Sequence, residues 1–287
     1  MRIGLRHRRR GMLDRILIPK RAEVARMLAG PRLAPRHAPA GGVLEALRRP
    51  AGEALRLVAE IKLRSPSAGA LSQRLDPPAR ALAYARGGAA MISVLCDQAF
   101  FGGGFAHLAA CRERLDAELG ARRPRLLCKE FVIDAVQLDR AVDAGADAVL
   151  LIARIVEPAA LATLAAEARS RGLVPVVEVA TLEELDAARA AGAELVGVNA
   201  RDLNTLRIDV ERAAAVLDAL PAAAVKMHLS GLATPGDVAR VAASRADAAL
   251  IGEALMRHDD PSPLLASMRA AASDGIQAVG LPAHEAR

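Results

Sequence analysis

A chain of 287 residues that is 53% apolar can bury a large core, and one barrel or doubly wound domain commonly has this length. Its three cysteines (Cys96, Cys111 and Cys128) and six scattered histidines lack metal-ligand spacing, no apolar run approaches the ~18 residues of a membrane span, and the start lacks the apolar segment of a secretory signal; metal, membrane and export are argued against, and the cytoplasm is expected. The net charge of +6 is concentrated early, with 13 Lys and Arg against 3 acids in residues 1 to 50 and 26 against 30 thereafter, but one Tyr and four Phe offer little to stack on bases, which argues against nucleic acid.

The opening MRIGLRHRRRG reads as a solvated extension, or translation begins at Met12. From Met12 to Gly30, Leu13, Ile16 and Leu17 and then Val24, Met27 and Leu28 recur at helical spacing, with Pro19 expected at the first turn of a second half. Residues 31 to 50 hold four prolines and a short helical VLEALRR, and read as a linker. Residues 1 to 50 are therefore a basic N-terminal extension, 51 to 270 the main domain and 271 to 287 a tail.

From Leu57 the chain repeats one unit: a short apolar run, a polar or Gly-rich turn, then an Ala-rich amphipathic helix. The runs are 57 to 62, 91 to 95, 125 to 129, 148 to 152, 174 to 179, 195 to 199, 225 to 230 and 249 to 252. Their starts lie 21 to 34 residues apart, enough for a crossover helix, and runs without polar alternation suit parallel strands covered on both faces. Eight such units predict an α/β fold, a closed (β/α)8 TIM barrel with an extra N-terminal helix. An open doubly wound sheet is the alternative, but FGGGF at 101 to 105 has the wrong spacing for its dinucleotide fingerprint.

In such a barrel the active site lies at the C-terminal strand ends. There the sequence places Glu60 and Lys62, which share one strand face, then Lys129 and Glu130, Glu178, Asn199 with Arg201 and Asp202, and Ser230-Gly231. Singly, each has a plain structural use as an ion pair or turn. Five strands delivering such groups to one rim point to acid and base chemistry. The Ser-Pro-Ser-Ala-Gly turn containing Ser65 is placed to close over a ligand. Glycine tips at HLSGLATPGDV and ALIGEALM predict a phosphate cup of backbone donors.

AEIKLRSPSAG, SVLCDQAFFGG, CKEFVID, VGVNARDLNTLRID, SGLATPGDV and LIGEALMRHDDP, in this order between about Met12 and Pro261, resemble the indole-3-glycerol-phosphate synthase family of tryptophan biosynthesis. The resemblance implies a carboxy-lyase acting on a small sugar phosphate without cofactor, as a monomer or weak homo-oligomer, with the N-terminal helix covering the barrel mouth. By the same match Lys129 is the general acid and Glu178 its partner in dehydration. Glu60 assists proton transfer, Lys62 holds negative groups, and Asn199 and Arg201 bind hydroxyl and anionic groups. Ser65 joins the substrate-binding set, while Ser230, Gly231, Gly252 and Glu253 surround the phosphate.

Three positions depart from the family pattern: Glu130 stands where Asp is usual, Ala200 where Asn is, and Leu229 where a rim Glu is. A Schiff-base aldolase on the same barrel, or a non-catalytic phosphate-binding paralogue, are the rival readings.

Overall fold

The computed structural model describes residues 11–31, 35–66 and 68–279; the arginine-rich opening and the last eight residues lie outside the described residues. Helix α1 (Met12–Ala29) buries Leu13, Ile16, Leu17, Lys20 and Val24, the stripe that a 3.6-residue period places on one face. The expectation that Pro19 opens a second half is corrected, because it lies within one continuous helix. Pro19 sits on the exposed side, as does Arg15, whose carbonyl it deprives of a donor, so water can replace that bond. The short helix Val43–Leu47 follows the proline-rich linker.

Eight parallel strands close the barrel: β1 (Arg56–Ile61), β2 (Met91–Leu95), β3 (Arg125–Lys129), β4 (Ala148–Ile152), β5 (Val174–Val179), β6 (Leu195–Asn199), β7 (Val225–Leu229) and β8 (Ala248–Ile251). Each pairs with its sequence neighbours, and β1 joins β8 through Val58 opposite Leu250. β2 to β6 have the bounds the apolar runs predict. β1, β7 and β8 release the chain one residue earlier, at Lys62, Ser230 and Gly252, where the backbone leaves the ladder for the mouth. Nearly every strand residue is buried, as required of a sheet with side chains inside and helices outside.

Helices begin on side-chain caps that the sequence supplies, including Asp76, Thr234 and the Asp134–Gln137 capping box. The last helix, Ser262–Val279, crosses position 270, the expected end of the barrel. Among the described residues no helix is long and apolar enough to cross a membrane.

Opposite the mouth, two aspartates just before β4 and β8 tie the linker to the barrel floor. Asp147, fully buried, accepts from Arg123 at 2.6 and 3.0 Å, from Leu126 N at 2.8 Å and from Ala40 N at 2.8 Å. Asp247 accepts from Arg49 N at 3.0 Å and Lys226 N at 2.8 Å. Asp147→Ala leaves two backbone donors without their acceptor and takes from the buried Arg123 guanidinium one of its two carboxylates, Asp116 Oδ1 remaining at 2.8 Å. It is expected to cost about 2–4 kcal/mol, read as a lowered urea midpoint at unchanged slope.

Candidate active site

The inward residues at the ends of β1, β3, β5 and β6 meet in a cavity of about 470 Å³ at the C-terminal mouth. Glu60, Lys62, Lys129, Glu178 and Asn199 all line it, as do Ser65, Arg201, Ser230, Gly231, Gly252 and Glu253. The residues given catalytic or binding roles thus share one place, whereas Asp202, read at the same rim, does not line the cavity and accepts instead from Arg154 Nη1 at 3.3 Å.

At the centre, Lys129 Nζ stands 4.0 Å from Glu60 Oε2 and 3.7 Å from Glu178 Oε2. Lys62 Nζ lies 3.0 Å from Glu60 Oε1. Asn199 Nδ2 donates to Glu178 Oε1 at 2.9 Å, while its Oδ1 accepts from Arg201 N at 3.0 Å. Those two bonds fix which way the Asn199 amide faces. Both carboxylates are 4% exposed and Lys129 is 17% exposed, so the charges interact away from bulk water and remain open to a ligand. Lys62, Lys129, Arg201 and Arg257 line the cavity with Glu60, Glu130, Glu178 and Glu253, four charges of each sign, and Glu130 is committed to Lys20 at 2.7 Å.

β7 and β8 form the other end. Ser230 adopts a left-handed conformation with φ +69°, followed by Gly231 at φ +83°. A non-glycine residue there is strained. His228 Nε2 lies 3.0 Å from Ser230 O and pins the turn. Burial holds the His228 imidazole below its ordinary range, against that bond, so the ring is neutral and Nε2–H is the donor. Gly252 allows a close approach, since a Cβ there would overlap Glu60 Oε1 and displace that carboxylate. Glu253 places a carboxylate beside the expected anion cup, but Arg257 Nη2 pairs with it at 2.7 Å. Arg201 is partly engaged, its Nη1 donating to Leu206 O at 3.0 Å.

Sequence reasoning expected an N-terminal helix at the mouth but named no residue as roofing the cavity. Met12, Leu13 and Ile16 of α1 line the cavity with Phe101 and Phe131, whose ring centroids are 6.0 Å apart. Lys20 holds the helix there: its buried ammonium lies 2.7 Å from Glu130 Oε1, 3.0 Å from Asp97 Oδ2 and 2.7 Å from Glu23 Oε2. Glu130, the departure beside Lys129, thus anchors α1. The available signal was a lysine inside the apolar stripe of Leu13, Ile16, Leu17 and Val24.

Burial alone would lower the Lys20 ammonium, but Glu130 and Asp97 more than offset it and hold it above its ordinary range. Desolvation raises Glu130 to about 7, against the attraction of Lys20. The folded state therefore keeps a proton that the unfolded chain loses, and stability falls as pH rises from 4.5 through about 7. Glu130→Gln cannot titrate. The stability of wild type relative to this variant is expected to shrink between pH 5 and pH 8 in urea titrations; growth over that range would refute the raised pKa.

Leu229 is 1% exposed and lies inside the barrel against Gly197, where an added Cβ would meet its Cδ1 at 2.7 Å. It fills volume that the glycine leaves, and it is not among the cavity-lining residues. The missing rim carboxylate leaves Glu60 and Glu178 as the pair facing Lys129.

Comparison with known proteins identifies the family. The family model for indole-3-glycerol phosphate synthase matches residues 13–268. Relatives include indole-3-glycerol phosphate synthase 1 of Streptomyces coelicolor, 39% identical over 266 residues, covering 91% of this chain and 95% of that one. The indole-3-glycerol phosphate synthase of Kineococcus radiotolerans is 42% identical over 226 residues, covering 78% and 80%. Among solved structures, 3-hexulose-6-phosphate synthase from Salmonella typhimurium superposes with a TM-score of 0.60 at 16% identity, over 76% of this chain and 98% of that one, a likeness of fold alone. With a family model that spans nearly the whole barrel and relatives that cover most of its length, this chain belongs to the indole-3-glycerol phosphate synthase family.

Proposed function

We propose that the chain converts 1-(2-carboxyphenylamino)-1-deoxyribulose 5-phosphate into indole-3-glycerol phosphate, releasing carbon dioxide and water, in the cytoplasm. The observation that carries this reading is an ammonium, Lys129, held 4.0 and 3.7 Å from two carboxylates that β1 and β5 deliver to one cavity. Lys129 protonates the ketone oxygen as the ring carbon bearing the carboxylate attacks the carbonyl carbon. That closure makes a carbon–carbon bond and leaves an iminium next to the ring carbon that carries the carboxylate. Carbon dioxide departs, and its bonding electrons flow into the iminium. The remaining hydroxyl then leaves as water, with Glu178 and Glu60 handling the protons.

Substrate placement follows from the two ends of the cavity. The phosphate meets backbone donors around Ser230, Gly231, Gly252 and Glu253. Lys62 and Arg201 meet the negative and hydroxyl groups, Asn199 holds Glu178 in place, and the Ser65 turn closes over the sugar. The apolar wall of Phe101, Phe131 and α1 takes the aryl ring.

The test is to mix purified protein with this substrate and follow indole absorbance together with released carbon dioxide. One indole per carbon dioxide is expected, and a folded protein that yields neither overturns the reading. Borohydride that traps substrate on Lys129 would instead favour the Schiff-base aldolase.

A further inference from the structure

The helix between β1 and β2, Pro77–Arg86, buries a charge that the proposed chemistry does not use. Arg80 is completely buried, and its guanidinium donates to carbonyl groups and meets the Tyr84 hydroxyl, with the Asp260 carboxylate within electrostatic reach. Its Nη1 donates to Leu255 O at 3.3 Å and to His258 O at 3.2 Å, its Nη2 to His258 O at 3.2 Å, and its Nε has no partner. Desolvating a guanidinium is costly, and carbonyl acceptors repay it less than a carboxylate would. An apolar side chain of similar volume would fill the space at lower cost, so packing alone does not account for an arginine here.

What Arg80 holds is the wall beyond β8. Glu253–Met256 is a single helical turn, too short to stand by itself, and its carbonyls bond beyond it, Leu255 O accepting from His258 N at a long 3.4 Å. Arg80 takes Leu255 O, Ser72 N takes Met256 O at 3.0 Å, and the fork of Arg80 closes on His258 O after the turn. Five residues of this wall, Gly252, Glu253, Ala254, Arg257 and His258, line the cavity, whereas Arg80 does not. One turn further along the same helix, the buried Tyr84 hydroxyl lies 3.5 Å from Met256 Sδ and 3.4 Å from Glu60 O. The helix therefore grips the wall and the β1 backbone of an acid-base residue at once.

We infer that Arg80 is a positioning residue for the phosphate end of the site: from outside the cavity it fixes the Gly252–His258 wall against which the substrate phosphate is bound. The inference rests on the sugar-phosphate reading above. It separates Arg80 from a purely structural role, because an arginine that only stabilised the fold would leave substrate affinity unchanged in any variant that folds.

The test compares wild type, Arg80→Met and Arg80→Lys by KM and kcat for the carboxyphenylamino-deoxyribulose phosphate, by calorimetric binding of inorganic phosphate and by unfolding midpoint. Arg80→Met keeps the volume without the fork. It is expected to raise KM and the phosphate Kd by ~10-fold or more, with kcat within ~3-fold of wild type. Arg80→Lys keeps a cation and loses the fork, and is expected to fall between. Wild-type KM and phosphate affinity in folded Arg80→Met overturn the inference; if that variant does not fold, the same result in Arg80→Lys does so. Wild-type protein that turns substrate over without binding phosphate overturns the inference and leaves the reaction standing. Wild-type protein that binds phosphate without turnover overturns the reaction, and the phosphate affinities of the variants then decide Arg80 alone.

Discussion

Lys129→Ala is expected to lower kcat by at least ~100-fold with the barrel intact, the scale on which a positioned acid usually contributes. Among the described residues, the Lys129 ammonium is the one cation paired with both site carboxylates. Lys62 is committed to Glu60 Oε1 at 3.0 Å. The fold should survive. Lys129 is the last residue of β3, and its carbonyl, which accepts from Cys96 N at 2.9 Å, is retained in alanine. Glu60 and Glu178 keep Lys62 and Asn199 as partners, so neither is left bare. The measurement is steady-state kinetics beside a thermal melt: a loss of turnover with an unchanged midpoint is the expected pair, and near-normal kcat removes Lys129 from the acid role.

The barrel was legible because its strands are apolar throughout: a run such as AVLLI at 148 to 152 has no polar face to offer water, and only a sheet covered on both sides accepts it. The strand-borne site was legible for the related reason that a charge ending such a run has nowhere to go but the mouth. Lys20, Glu130 and Arg80 follow a different logic. Lys20 and Arg80 lie on the inward faces of helices, where the helical period predicts apolar residues, and Lys20 meets Glu130, and Arg80 meets Leu255, more than 100 residues away in sequence. Periodicity marks such a residue as out of pattern without saying what it meets, since that is decided by how helices dock on the closed barrel. Pro19 misled for a similar reason, as a local rule gave way to solvent on the exposed side of α1.

Glu178→Gln is the second large effect, and its interest lies in how little it changes. The side chain keeps its size and its place on β5, and its amide oxygen still accepts from Asn199 Nδ2, which Arg201 N prevents from turning round. The other end must then present an NH2 to Lys129, where wild type presents Glu178 Oε2 at 3.7 Å. A carboxylate that can take a proton becomes a donor that cannot, facing another donor. Turnover is expected to fall at least ~100-fold. KM should stay within a few-fold, because the proposed phosphate contacts lie on β7 and β8 across the cavity. If dehydration is the step lost, the decarboxylated intermediate accumulates: single-turnover mixing should release carbon dioxide ahead of indole, whereas wild type releases both together. Simultaneous release at a normal rate would leave Glu178 as a structural partner of Asn199, and the dehydration proton would have to pass through Glu60 instead.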